Sequence, residues 1–162
     1  MGRDESVIIH GDEQFVRRIE QALGLLRQHP EFYEMVNTYT GTISPAPDGV
    51  STNVRPWGGR HGVSPCVYIC DLWLNESNTA LAGILVHEAA NSKLFFDYLN
   101  ANDRHPPFHV WERPDGEVIA LGIERDFLVA AGAPRHYIDW LDQHIRYYQQ
   151  LAEERQAAER GR

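Results

Sequence analysis

Residues 81–98, LAGILVHEAANSKLFFDY, constrain this chain more than any other stretch. Their apolar residues recur every three or four positions, which a helix gathers on one face and a strand would scatter. Leu81, Ile84, Leu85, Glu88, Ser92, Phe95 and Leu99 trace one broad stripe. His87 and Asn91 lie beside it, one turn apart on the same edge. A helix with so broad an apolar surface must be covered by other elements, so the fold is built around it. Glu88 falls inside the stripe. A carboxylate buried there needs a partner or a metal, or its pKa rises and it neutralises.

The flanking segments supply the cover. Residues 6–10 form a short apolar run, a strand or the lead-in to a helix. Asp12 is placed as the N-cap of a helix whose buried face is Phe15, Val16, Ile19, Ala22, Leu23 and Leu26. Pro30 ends that helix and starts a shorter one that stops before Gly41. His10 and His29 fall at element ends, as surface or capping residues. Residues 40–65 are rich in turn formers. Thr42-Ile43 and residues 49–54 read as two short strands joined by Pro-Ala-Pro-Asp-Gly. Residues 55–62 form a loop with Trp57, Arg60 and His61, either an ordinary connection or a cover over a substrate.

Residues 66–74, CVYICDLWL, read as a strand covered on both faces. The polar cluster at 75–79 then caps the central helix. Residues 100–107 form a loop, with His105 and His109 read as exposed loop histidines or, alternatively, as the source of a further ligand. Residues 108–112 and 117–120 flank Arg113-Pro-Asp-Gly116 as a hairpin. From about 119 to 131 the period is helical, with Leu121, Glu124, Leu128 and Ala131 on one face and Gly132 as C-cap. Pro134 starts a last helix that buries Tyr137, Leu141, His144, Ile145 and Tyr148. Helical period at both ends and strand signals in the middle predict an α+β fold, with helices around a small mixed or antiparallel sheet. Residues 1–152 are read as one domain, and 153–162 as a polar tail that frays.

Composition narrows the partners. The 162 residues are 43% hydrophobic and 23% charged, with a formal net charge of −8 and no Lys/Arg cluster. That balance argues against nucleic acid or an anionic membrane surface as partner. No stretch approaches a membrane span, and residues 1–13 hold too short an apolar run for a signal peptide, so the reading is cytoplasmic. Cys66 and Cys70 are not a C-x-x-C pair. In a strand they would stand about 13 Å apart at ~3.3 Å per residue, too far for a disulfide, so both are read as reduced core thiols. There is no G-x-S-x-G elbow to support a serine nucleophile.

His87-Glu88-Ala89-Ala90-Asn91 resembles the H-E-x-x-H active-site helix of the zincin metallopeptidases, of gluzincin type, with Asn91 in place of the second histidine. In that signature two histidines one turn apart hold one side of a zinc ion, and the glutamate between them polarises the bound water. The resemblance extends over residues 66–148: a strand before the helix, and a third ligand on a later helix, where Glu124 stands 37 residues after His87. It implies a zincin-like α+β fold with residues 81–98 as the central active-site helix. It also implies His87 and Glu124 as metal ligands, Asn91 as a doubtful one, and Glu88 as general base.

Three functions remain open on this reading. The first is a metal-dependent peptidase or amidase in which a further residue completes the sphere. The second is a degenerate site: a pseudo-peptidase, an inactivated hydrolase, or a binding module reusing the cleft for a peptide or small molecule. Zinc would then be held weakly or not at all, because an amide oxygen is a poorer zinc donor than imidazole. The third takes HEAAN as a chance pairing on a helix of some other α+β domain.

Overall fold

The computed structural model describes residues 7–58 and 65–162. Ser6, and Arg60 and His61 of the expected loop, lie outside them. In chain order the elements are β1 (Ile8–Ile9), α1 (Glu13–Leu26), α2 (Pro30–Tyr39), β2 (Thr42–Pro45), β3 (Asn53–Arg55) and β4 (Cys66–Ile69). Then follow α3 (Asp71–Leu74), α4 (Asn78–Asn102), α5 (Phe108–Trp111), α6 (Asp115–Ala130) and α7 (Arg135–Arg160). The fold is α+β, a helical body around a small mixed sheet, and α4 is its axis.

The N-terminal helices follow from local chemistry. The Asp12 carboxylate accepts from the Phe15 amide at 2.8 Å and starts α1. Pro30 opens α2, where a missing N–H costs nothing. Together α1 and α2 make the crossover that lets β1 and β2 run parallel. The sheet order is β1-β2-β4-β3, with β2 parallel and β3 antiparallel to β4. Thus β2 and β3, expected as strands joined by a turn, do not pair with each other; each pairs with an opposite side of β4.

Two segments expected as strands are helical. Residues 66–74 stop being a strand at Ile69. The Ala46 amide bonds the Ile69 carbonyl, and the Cys70 amide turns to Thr52 Oγ1 at 2.9 Å. With the ladder ended, residues 71–74 form the single turn α3. Cys66 is buried and Cys70 half-buried, and both are free thiols. The hairpin expected at 108–120 is absent: 108–111 form α5, and α6 begins at Asp115, four residues before the expected start. Pro114-Asp-Gly has turn chemistry, but Pro114 here precedes a helix, and Asp115 and Glu117 stand in its first turn, where the dipole favours acids.

The axis α4 packs against α1, α2, α5 and α6. Every residue from Ala80 to Ser92 is buried, so the one-sided stripe is in fact a fully surrounded helix. Ser77 caps it through the Ala80 amide at 3.1 Å. Gly83 sets how near α6 can come. A Cβ there would meet Leu128 Cδ2 at 3.0 Å and Glu124 Oε1 at 3.4 Å, so its bare Cα admits both side chains. Residues 153–160, expected as a frayed tail, continue α7; Ala152 is buried, and Arg155 pairs with Asp115 at the head of α6.

Candidate functional site

The helices α4 and α6 bring distant polar residues into one buried cluster. His87, Glu88 and Asn91 project from α4, and Glu117 and Glu124 from α6. Positions 117, 121, 124 and 128 fall on one helix face, and all four are buried. The two glutamates therefore stand two turns apart and bracket His87. Its Nδ1 is 3.0 Å from Glu124 Oε2, and its Nε2 is 3.5 Å from Glu117 Oε2.

Charge follows from these contacts. Burial works against an imidazolium at His87, but the hydrogen bonds to Glu117 and Glu124 and the nearby carboxylate charges outweigh it and hold the pKa well above the usual value. Burial would also raise Glu117, yet the bond to His87 and the charges of His87, Arg113 and His144 bring it below the ordinary carboxylate value. Glu88 has no such relief. Burial, with the Glu112, Glu117 and Glu124 charges adding to it against His87, pushes its carboxyl up to about 8. Glu112, just after α5, is pushed up to about 7 by burial and by Glu117. The shifts thus favour a proton on Glu88 and an imidazolium at His87, which stands between Glu117 and Glu124.

All four residues singled out by sequence, His87, Glu88, Asn91 and Glu124, line one cleft of about 730 Å³. Glu117, Glu112, Trp111 and Tyr148 line it too and were missed. Glu117 was legible in principle, since it stands seven residues before Glu124 on the same helical face. Reading 117–120 as a strand hid that relation. Trp57, from the expected loop, also lines the cleft, and its ring meets Trp111 at 5.9 Å and Phe95 at 6.1 Å.

Two buried oxygens in the cleft have no hydrogen-bond partner among the described residues, Glu88 Oε2 and Asn91 Oδ1. The side chains as arranged do not fit a zinc ion. Both His87 ring nitrogens face carboxylates, so a metal on either nitrogen would displace one of these contacts. Asn91 offers only an amide oxygen, and no three His, Cys, Asp or Glu side chains among the described residues are grouped to hold a metal. No helix of the described residues is long and apolar enough to cross a membrane. Compared with protein-family models, curated proteins and solved structures, the chain matches none.

Proposed function

We propose that this chain is a zincin-like protein with a degenerate metal site, a pseudo-peptidase whose cleft serves as a binding pocket. The observation that carries the reading is His87 held between Glu117 and Glu124. A proton takes the place that the H-E-x-x-H signature gives to a metal: two carboxylates that would share a cation's charge share an imidazolium's instead. The residue one turn on, Asn91, is buried and contributes a neutral oxygen. Glu88 is protonated at neutral pH, so it is poised as an acid or a hydrogen-bond donor and not as the base that takes a proton from water.

Cleft size supports a ligand role. About 730 Å³ lies within the roughly 300–1,000 Å³ of small-molecule sites, and the lining joins aromatic walls to a few polar groups. The deciding experiment is zinc affinity by chelator competition on untagged protein, with cleavage of a mixed peptide library. Weak zinc binding and no cleavage are expected. Tight zinc binding with cleavage would overturn the reading in favour of a metallohydrolase. His87 would give such an ion one ring nitrogen, so of Glu117 and Glu124, which face opposite nitrogens, one would share the metal and the other would orient the ring.

A further inference from the structure

We propose that the cleft binds a neutral amphiphile, its primary carboxamide head bonded to Asn91 Oδ1 and Glu88 Oε2 and its alkyl tail seated in an apolar side chamber bounded by α3, α4, α6 and α7. This rests on the cleft being a binding pocket, and it names the ligand class.

The chamber is the first observation. A second cavity, of about 320 Å³, lies beside the cleft, and the two share Leu72, Trp73, Glu124 and Trp140 as walls. Ala80, Leu128 and Leu141, all buried, complete an apolar lining. The carboxylates and the hydroxyl on that lining already have partners. Glu76 Oε2 accepts from the Tyr137 hydroxyl at 2.7 Å, and Glu124 Oε2 meets His87. Leu72 and Trp140, where the two cavities adjoin, stay 68% and 42% exposed. An alkyl chain passing between them buries apolar area that water now covers.

The second is the pair of unpartnered oxygens in the cleft itself. Glu88 and Asn91 are buried, and they stand three residues apart on α4, so one head group reaches both. Asn91 Oδ1 can only accept, so the head must carry an N–H or O–H. A carboxamide brings two N–H donors and a carbonyl acceptor. It satisfies Asn91 Oδ1 and also Glu88 Oε2, whether or not that oxygen holds a proton. A hydroxyl brings one donor and a carboxylate none.

The third is the balance of charge. Arg55, His87, Arg113 and His144 line the cleft, and so do Glu88, Glu112, Glu117 and Glu124. With basic and acidic groups on one lining, neither a cationic nor an anionic head gains over a neutral one, and a charged head has its own hydration to lose.

The probes are butanamide, hexanamide and octanamide, titrated into metal-stripped full-length protein by calorimetry and tryptophan fluorescence, beside 1-octanol, octanoate and n-octylammonium. Affinity should rise about threefold per added methylene as the chain enters the chamber. Octanamide should bind about fivefold or more tightly than each of the other three eight-carbon ligands. Leu72 is exposed, so Leu72→Asp keeps the fold. It should weaken octanamide about tenfold and butanamide less than about twofold. Asn91→Leu, which removes the oxygen at similar volume, should weaken octanamide about fivefold or more. Octanamide no tighter than butanamide, an equal or better fit of the alcohol, the carboxylate or the ammonium, or octanamide binding untouched by Leu72→Asp would overturn the proposal. If Asn91→Leu fails to fold, Leu72→Asp and the ligand series still decide it. Tight zinc binding with peptide cleavage would instead sink the pseudo-peptidase reading, a result read in a separate assay from the amide titration.

Discussion

His87 on α4 and Glu124 on α6, 37 residues apart in the chain, meet with Nδ1 and Oε2 at 3.0 Å, both side chains almost wholly buried. The contact locks the axis helix to its main neighbour and is a test point for the site. Removing one partner of a buried charged pair leaves the other without compensation. Glu124→Gln is expected to lower stability by about 2–4 kcal/mol and to move the His87 pKa down. Denaturant unfolding gives the first, and titration of the imidazole by NMR the second. An unchanged His87 titration would mean that Glu117 alone holds the proton.

Asn91→His places two histidines one turn apart on α4, the spacing of the zincin signature. Added imidazole should raise zinc affinity by several kcal/mol, on the order seen for single ligands in structural zinc sites, and should bring measurable peptide cleavage. Chelator competition and a peptide library read both. A variant that gains neither would leave the helix with no metallopeptidase ancestry to argue from.

Stability should fall as pH rises through neutrality. Between its ordinary value of 4.5 and about 8, Glu88 carries a proton in the folded protein that the unfolded chain has released. Folding then binds protons, so stability declines across that window. Glu112 acts the same way between 4.5 and about 7. His87, with its pKa raised by its carboxylate partners, gives stability that is full below 6.5 and is lost as pH rises from there through its raised folded value. Glu117, held low, acts oppositely and loses its contribution only in acid, as pH falls through its folded value. Melting temperature against pH should therefore decline from mildly acid to alkaline conditions. Glu88→Gln should flatten the decline and make the protein more stable than the parent at alkaline pH, because an ionised buried carboxylate is no longer demanded. A melting temperature that rises from pH 6 to 9 would contradict the assignment of buried protons.

Gly83→Ala tests the helix contact that places Glu124. Helix propensity alone would favour alanine by about 1 kcal/mol. Against that, its Cβ would stand 3.0 Å from Leu128 Cδ2, and Leu128 is buried. Overpacking of this kind costs about 1–3 kcal/mol, so net destabilisation is expected in urea unfolding. Gly116→Ala should be worse, since its Cβ would meet the Trp111 backbone at 2.3 Å, where no rotamer change can relieve it.

Much of the fold was legible in the chain because its cause is local. Asp12, Pro30 and Ser77 start helices through their own backbone neighbourhood, and all three do so here. The stretch around His87 and Glu88 read as a helix because its apolar spacing suits no other element. The burial of Glu88, and with it the upward shift of its carboxyl, followed from its place inside that stripe. Where local signals conflicted, tertiary packing decided. Leu72, Trp73 and Leu74 are apolar and continue the run begun at Cys66, but the β2–β4 ladder ends at Ile69. Pro114-Asp-Gly fits a turn as well as a helix start, and Gly116 set against the Trp111 backbone favours the helix. That choice carried Glu117 onto the face of Glu124. Sequence alone therefore determined which helix bears His87, Glu88 and Asn91. Only the crossing of α4 and α6 decided that His87 meets two carboxylates, because an ion pair across 30 or more residues depends on the packing of whole helices and not on the period of either one.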